Sequence, residues 1–212
     1  MSELFAKMAE SLIAGNMDEV VSMTKEAIDK GSPPQDILEQ GLLAGMDVVG
    51  QRFKASEMFI PEVLRCAKCM HGAMEILRPL LAETGASTIG TFVLGTVKGD
   101  LHDIGKNLVG MLFEGAGFNV VDLGVDKDPQ EFVDALKDHD AKLFGMSALL
   151  TTTMPKMRET IDAIKEAGIR DQVKIMIGGA PVTAEFAKDI GADAYASNAA
   201  SAVDKGKELL GL

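Results

Sequence analysis

Asp100 and His102 stand two positions apart in a short loop, and their residue types could do chemistry together. The loop follows an apolar run at 91–97 that predicts a buried strand, and a helical pattern resumes after Gly105. A strand-loop-helix unit places its loop at the carboxyl edge of a sheet, where open α/β folds bind ligands. A phosphate site would be glycine-rich and would offer backbone N–H groups, whereas the carboxylates of Asp100 and Asp103 would repel phosphate.

An imidazole backed by a carboxylate is typical of a metal ligand whose second nitrogen is held by hydrogen bonding. The loop contains no cysteine and no second histidine, so a bare zinc or iron ion would lack protein ligands. A metal that brings its own macrocycle needs only one axial ligand from the protein. The alternative is that Asp103 caps the following helix and His102 is an ordinary loop residue.

Three short motifs occur in order along the C-terminal part of the chain: Asp100-x-His102-x-x-Gly105, Ser147-Ala148-Leu149 and Gly178-Gly179. Together they resemble the three-part signature of cobalamin-binding domains in methyltransferases and some mutases. The resemblance implies that cobalamin binds base-off and His-on, with His102 as the axial ligand of cobalt and Asp100 behind it. In methionine synthase a serine continues this relay, and the matching position here is Thr153, which keeps a hydroxyl.

The resemblance also implies two groups of cofactor contacts. The first group surrounds the axial ligand: Gly99, Asp100, Leu101, His102, Asp103, Ile104 and Gly105. The second houses the nucleotide tail of the cofactor: Ser147, Leu149, Thr151, Gly178, Gly179 and Ala199. Small side chains let the backbone and the tail approach closely, although two glycines taken alone would equally predict a plain turn.

The N-terminal part reads as four helices joined by short turns, which predicts a small antiparallel bundle. Helices are expected at 2–14 and 18–29, a third after Ser32-Pro33-Pro34, and a fourth from about Pro61. The connection at 52–61 is rich in apolar residues, which could simply be buried against the bundle.

A second interpretation of this connection comes from the resemblance, which extends to the helical cap of methionine synthases and of corrinoid proteins. In that family the cap covers the upper face of the corrin. The matching residues are Phe53, Ile60, Val63 and Leu64, with Glu39 near the same face.

Beyond residue 88, strands and helices alternate, among them a helix at 129–138 and a strand at 143–147, which predicts a parallel sheet with helices on both faces. The fold class is therefore α/β: a four-helix bundle cap followed by a doubly wound, Rossmann-like or flavodoxin-like cobalamin-binding domain. The small-residue stretch at 84–87 is a natural linker. We expect a cap domain at 1–86 and a cofactor domain at 87–212.

Composition narrows the classes of partner. Formal net charge is −11, which disfavours nucleic acid and anionic membrane surfaces as partners. No apolar run reaches the length of a membrane span, and the N-terminus has no secretory pattern, so a cytoplasmic protein is expected. Cys66 and Cys69 could form a redox pair or half of a zinc site, but no second pair exists, which favours a packing role.

The resemblance covers essentially the whole chain and implies a methyl carrier with no turnover of its own. The implied partners are a substrate-specific methyltransferase, a second methyltransferase acting on coenzyme M or tetrahydrofolate, and a reductive activation protein. The methyl donors of such systems include methylamines, methanol, methoxylated aromatics and betaines. Two alternatives use the same cofactor: a cobalamin-dependent sensor or regulator, and the cobalamin subunit of a mutase.

Overall fold

The computed structural model describes residues 2–83 and 89–212. These residues divide into two compact units: one comprises 2–83 with Glu114–Gly117, and the other comprises Ile89–Phe113 with Phe118–Leu212. The predicted linker at 84–87 and the predicted boundary after residue 86 lie outside the described residues. The domain limits therefore stay a prediction.

The first unit consists of helices joined by short turns. Its helical segments are α1 (Ser2–Ala14), α2 (Met17–Asp29), α3 (Pro34–Asp36), a π-helical segment (Ile37–Leu43), α4 (Ala44–Lys54) and α5 (Ile60–Glu83). Each amphipathic helix buries one apolar stripe, as the 3.6-residue period predicts. In α1 this stripe consists of Phe5, Met8 and Leu12.

The third predicted helix differs from expectation, because a π-helical segment lies between α3 and α4. Gly41 and Gly45 of this stretch lie against α1. A Cβ on Gly41 would lie 2.6 Å from Met8 Sδ, and one on Gly45 would lie 3.2 Å from the Ala9 backbone. Sequence periodicity does not report such a change of winding, since the buried positions remain on one side of the helix.

The predicted connection at 52–61 is shorter than expected, because α4 continues to Lys54 and α5 begins at Ile60. Its apolar residues behave differently from one another. Met58 is buried, whereas Phe59 is 65% exposed. Burial against the bundle therefore accounts for Met58 and not for Phe59.

The second unit alternates strands and helices. Its elements are β1 (Thr91–Thr96), α6 (Ile104–Gly115), β2 (Asn119–Asp122), α7 (Pro129–Asp138), β3 (Leu143–Ser147), α8 (Pro155–Glu166), a 3₁₀ turn (Arg170–Gln172), β4 (Lys174–Gly178), α9 (Ala184–Ile190), β5 (Ala194–Tyr195) and α10 (Ala199–Leu210). The predicted α/β class with a doubly wound parallel sheet is confirmed.

Among residues 89–212 the sheet has five parallel strands in the order β2-β1-β3-β4-β5. This is the flavodoxin-like order, whose switch point lies between β1 and β3. The register aligns Thr96, Ser147 and Gly178 in one row at the carboxyl ends of the three central strands. The loops that follow β1 and β3 therefore emerge side by side.

The strands form because their apolar runs are buried beneath helices; β1 is buried from its second residue to its end. Helix starts follow their capping signals, as where Asp128 and Glu131 form a capping box before α7. Across the described residues, no helix combines the length and apolar character that a membrane crossing requires.

Candidate cofactor-binding site

The loop between β1 and α6 lies at the carboxyl edge of the sheet, as the sequence predicts, and the strand order places it at the switch point. Two hydrogen bonds attach it to the sheet. The Val97 N–H donates to the Ser147 carbonyl at 3.1 Å, and the Thr96 hydroxyl donates to the His102 carbonyl at 2.9 Å. The backbone of the candidate ligand is thus fixed by the two central strands.

Asp100 is fully buried, and each of its carboxylate oxygens has partners. Oδ1 lies 2.7 Å from His102 Nδ1 and accepts the His102 backbone N–H at 3.1 Å. Oδ2 accepts the Leu149 N–H at 2.7 Å, the Leu150 N–H at 3.3 Å and the Thr153 hydroxyl at 2.7 Å. Residues from two separate loops therefore converge on one carboxylate.

Burial alone would raise the pKa of the Asp100 carboxyl. The hydrogen bonds that it accepts from the Leu149 N–H, the His102 ring and the Thr153 hydroxyl outweigh burial and hold its pKa well below the usual range. Because an ionised carboxylate only accepts, Nδ1 of His102 carries the proton of the neutral ring. The Nε2 lone pair is then free to bind a metal, and the His102 side chain is 51% exposed.

Thr153, the predicted relay hydroxyl, is buried and has two possible acceptors. Its Oγ1 lies 2.7 Å from Asp100 Oδ2 and 2.9 Å from the Leu150 carbonyl. A hydroxyl has one hydrogen, so it donates to the carboxylate while Asp100 is ionised. The geometry places Thr153 directly behind Asp100, on the side away from His102.

Asp103 has a different role from its neighbours. Its carboxylate accepts from the Asn107 side-chain amide at 3.1 Å and its carbonyl accepts the Asn107 N–H at 2.7 Å, at the start of α6. Asp103 therefore stabilises the start of α6, whereas the His102 ring is held by Asp100.

Exposed apolar side chains occur on both sides of His102 in its loop and in the loop after β3 that bonds Asp100. Leu101 is 71% and Ile104 78% exposed, and Leu149 and Leu150 are also exposed. Gly105 has open space beside it, since a Cβ there would meet no atom within 4 Å. An exposed apolar surface of this kind is typical of a ligand-binding face.

The donor set fits a metal held in a macrocycle and not a bare ion. No group of three or more His, Cys, Asp or Glu side chains that could hold a metal occurs within 2–83 and 89–212. One half-exposed imidazole in a loop with exposed apolar side chains suits a corrin, which supplies its own equatorial nitrogens.

The predicted tail residues lie along the carboxyl edge of the sheet. Ser147 and Gly178 end neighbouring strands, Thr151 is exposed in the loop after β3, and Ala199 is buried at the start of α10. Gly179 has a φ of 133°.

The protein's own backbone explains the paired glycines. A Cβ on Gly179 would lie 1.8 Å from the Ala148 carbonyl oxygen, and one on Gly178 would lie 3.1 Å from the Ala196 carbonyl oxygen. Close approach of these loops therefore requires Gly179 and leaves little room at Gly178 before any cofactor is considered. Contact of this edge with a nucleotide tail stays a prediction.

The residues expected at the upper face of a corrin all belong to the helical unit. Glu39 is exposed and accepts from Gln35 at 2.6 Å, Phe53 and Leu64 are half-buried, Ile60 is exposed, and Val63 is fully buried. Burial of Val63 leaves it no free surface in this structure. The assignment of these residues to a corrin face stays a prediction.

Sequence reasoning missed two buried polar residues next to the His102 loop, one at the end of β1 and one in the first turn of α6. Thr96, which bonds the His102 carbonyl, is a buried hydroxyl inside an apolar strand. Lys106 is buried in the first turn of α6, where its ammonium lies 2.5 Å from Asp122 and 2.6 Å from Asn107. A lysine at a core-facing helical position is the signal that could have revealed this pair.

Cys66 and Cys69 are buried free thiols. Burial raises the pKa of Cys66 to about 11 and also raises the pKa of Cys69. Neither is a reactive thiolate near neutral pH, and Cys66 Sγ lies 3.4 Å from the Ile13 carbonyl. Their burial agrees with the predicted packing role.

The low pKa of Asp100 predicts a pH-dependent contribution to folding. A carboxyl whose pKa falls on folding stabilises the native state above its unfolded value near about 4, and this contribution is lost as pH falls below that value. Asp100→Asn should lower the free energy of unfolding by about 1–3 kcal/mol near neutral pH, because an amide NH₂ would face donors.

Urea unfolding of both proteins across a pH series measures this difference. We expect the gap between wild type and Asp100→Asn to shrink as pH falls below about 4. A gap that stayed constant between about pH 7 and about pH 3 would contradict ionisation of Asp100 in the native state.

The sequence matches the B12 binding domain family over residues 90–204, and a second B12 binding domain family over residues 4–78. Dimethylamine corrinoid protein 1 of Methanosarcina acetivorans is 45% identical over 210 residues, which cover 98% of each chain. Relatives of this similarity thus extend over both units.

Solved structures resemble the chain as a whole. A cobalamin-binding protein from Desulfitobacterium hafniense DCB-2 matches with a TM-score of 0.76 and 32% identity, over 97% of this chain and 98% of the other. The methanol:cobalamin methyltransferase complex MtaBC from Methanosarcina barkeri matches with a TM-score of 0.88 and 32% identity, over 99% of this chain and 81% of the other.

Proposed function

This chain belongs to the family of B12-binding corrinoid proteins, and from that membership we propose that it carries a methyl group on corrinoid cobalt between two methyltransferases. Its cofactor is cobalamin or a related corrinoid. The observation that carries the proposal is the Asp100–His102 pair, whose half-exposed ring stands in a loop with exposed apolar side chains. A carrier needs such a site, and it needs no substrate pocket of its own.

Two comparisons support the class of partner. One relative is named for dimethylamine, and one matched structure is a complex with a methanol:cobalamin methyltransferase. We infer that this chain docks in turn with a substrate-specific methyltransferase and with a second methyltransferase that acts on coenzyme M or tetrahydrofolate. A reductive activation protein would restore the cofactor after oxidation.

His102 would bind the lower face of the corrin through Nε2. The bound cobalt supplies the ability to accept a methyl group and to release it to a nucleophile. Asp100 keeps the proton on Nδ1, which orients the ring and leaves the Nε2 lone pair available. Base-off, His-on binding is part of this proposal.

Asp100 would also face His102 when the ring is not bound to metal. A proton and a metal compete for the Nε2 lone pair, while the buried carboxylate stays 2.7 Å from the other ring nitrogen. The Thr153 hydroxyl and the Leu149 N–H hold that carboxylate in place. Release of His102 from a metal would then be coupled to uptake of a proton at Nε2.

The exposed apolar side chains would exclude water from the ligand. Leu101 and Ile104 flank His102 in sequence, and Leu149 follows the neighbouring strand. Covering these side chains with a corrin would remove apolar area from water, worth about 25 cal/mol per Å². The open space beside Gly105 leaves room for close approach.

A stoichiometry experiment tests the carrier role. The protein is loaded with cobalamin, chemically reduced, and mixed with a panel of methyltransferases specific for methylamines, methanol, methoxylated aromatics and betaines. We expect one enzyme to deliver a single methyl group per bound cobalt, and repeated turnover only after a second methyltransferase and its acceptor are added.

The control is the protein without corrinoid, which should accept no methyl group. Repeated turnover by the loaded protein alone would contradict the carrier role. So would the failure of every donor enzyme in the panel to methylate a protein that binds corrinoid.

A further inference from the structure

The segment after β2 lies beside the loop that carries His102. Leu94 of β1 pairs with Asp122, and Val97 bridges to Lys127. Between these two pairings the chain advances three residues along β1, from 94 to 97, and five residues on the β2 side, from 122 to 127. In a parallel ladder the steps should be equal, so extra residues bulge out between Asp122 and Lys127.

Asp126 belongs to this bulge and has a left-handed backbone, with a φ of 56°. Two hydrogen bonds connect it to the loop. Its backbone N–H donates to the Asp100 carbonyl at 3.0 Å, and its carboxylate Oδ1 accepts the Gly99 N–H at 2.8 Å. Bulges next to functional sites commonly redirect a side chain in this way.

The hydrogen bonds of Asp126 to the backbone matter more than its ion pair with Lys98. Lys98 Nζ lies 3.5 Å from Asp126 and 3.2 Å from Asp128, but all three side chains are substantially exposed. Exposed ion pairs contribute little. Asp126 instead contacts the Gly99 N–H, directly before the Asp100–His102 pair, and the backbone carbonyl of Asp100 itself.

We propose that Asp126 is a positioning residue for His102, because it holds the Gly99–Asp100 backbone from the neighbouring loop and so sets where the Asp100–His102 pair stands. The inference rests on the proposed ligation of cobalt by His102. It adds a residue that lies outside the three sequence motifs. Asp100 transmits the effect, since its carboxylate orients the imidazole from a backbone that Asp126 holds.

Asp126→Gly isolates the side-chain contact. Glycine adopts a positive φ without strain and keeps the backbone N–H, so the variant loses the acceptor for the Gly99 N–H and, besides it, only the exposed ion pair with Lys98. Asp126→Asn is the conservative variant, since asparagine tolerates the left-handed region and offers a side-chain oxygen. Asp126→Ala removes the same acceptor while keeping a Cβ.

Asp140→Gly is the matched control. Asp140 also has a left-handed backbone, with a φ of 44°, and pairs with Lys142 at 2.6 Å in the turn between α7 and β3. Asp140→Gly therefore removes an exposed aspartate with a left-handed backbone, as Asp126→Gly does, but in a turn away from the loop that carries His102.

The readout is the EPR spectrum of the Co(II) protein labelled with ¹⁵N-histidine, together with the cobalt midpoint potential. We expect Asp126→Gly and Asp126→Ala to weaken His102 ligation by about 3- to 10-fold, the effect of one ordinary hydrogen bond. Asp126→Asn and Asp140→Gly should keep the wild-type spectrum and potential.

The inference is overturned if the wild type shows a histidine-derived doublet and Asp126→Gly or Asp126→Ala keeps it with an unchanged potential. In that case ligation by His102 would stand and only the positioning role would fall. If the wild type itself shows no doublet, the proposed ligation fails and this inference fails with it. Should Asp126→Gly not fold, Asp126→Ala and Asp126→Asn decide the outcome.

Discussion

In the cobalamin-loaded Co(II) protein labelled with ¹⁵N-histidine, His102→Ala is expected to abolish the axial nitrogen doublet in the EPR spectrum. The doublet arises only when a protein imidazole is the lower ligand. Nε2 of His102 is free because Nδ1 is held at 2.7 Å by the buried Asp100 carboxylate. Corrinoid affinity should fall by at least the ~100-fold that changes behind a metal ligand can cost.

The sequence makes this experiment decisive, because the chain has only three histidines, His71, His102 and His139. His139→Ala is the matched control, since His139 is exposed after α7, and it should keep the doublet. The apo form of His102→Ala should stay folded but be less stable than wild type by about 1–3 kcal/mol, because the buried Asp100 carboxylate loses the hydrogen bond from the ring. A doublet that survived His102→Ala would refute the axial assignment.

Gly179→Ala is expected to destabilise the fold by about 2–6 kcal/mol, the sum of backbone strain and overpacking. The added Cβ would lie 1.8 Å from the Ala148 carbonyl oxygen, and the φ of 133° is one that L-residues rarely adopt. Loops after β3 and β4 would have to separate. Since a domain holds only about 5–15 kcal/mol in total, partial or complete unfolding follows.

Two alanine variants separate the contributions in urea unfolding. Gly168 has a φ of 71° with no atom within 4 Å of a Cβ, so Gly168→Ala should lose about 1–2 kcal/mol from strain alone. Gly105 has neither strain nor a neighbour, so Gly105→Ala should gain up to about 0.5–1 kcal/mol in the apo protein. If Gly179→Ala lowers the free energy of unfolding no more than Gly168→Ala does, the loops after β3 and β4 can separate without loss of stability, and the predicted overpacking is wrong.

Gly105→Ala also tests why a glycine occupies the first turn of α6. If the corrin approaches the backbone there, corrinoid binding should weaken even though the apo protein becomes more stable. Equal binding by wild type and Gly105→Ala would mean that the open space is not used by the cofactor.

Most elements could be predicted from the sequence, because apolar periodicity, caps and glycine stops are local signals. The strand at 143–147 and the helix at 129–138 agree with prediction to the residue. The π-helical segment Ile37–Leu43 could not be predicted, since it changes the winding of a helix without moving its apolar residues off the buried side. The 3₁₀ turn at Arg170–Gln172 is too short to have a period.

The candidate site divides in the same way. Asp100 and His102 can be recognised in the sequence, because a carboxylate and an imidazole two positions apart in one loop already indicate a ligand and its support. Thr153 lies far away in the sequence and is indicated only by the family resemblance. Nothing in the sequence around Asp126 or Thr96 indicates a role in the site. Each supports the loop through one or two hydrogen bonds that exist only when distant segments meet.

By itself the sequence determined which side chains carry the chemistry and which local elements hold them, because residue type, hydrophobic period and capping act over a few neighbours. Tertiary structure decided that the Leu149 N–H and the Thr153 hydroxyl reach the Asp100 carboxylate, 49 and 53 positions away. It also decided that Gly179 must be a glycine, because the Ala148 carbonyl occupies the place of a Cβ. Both follow from the strand order, which brings the ends of β1, β3 and β4 to one edge, and strand order is a property of the folded sheet and not of any one segment.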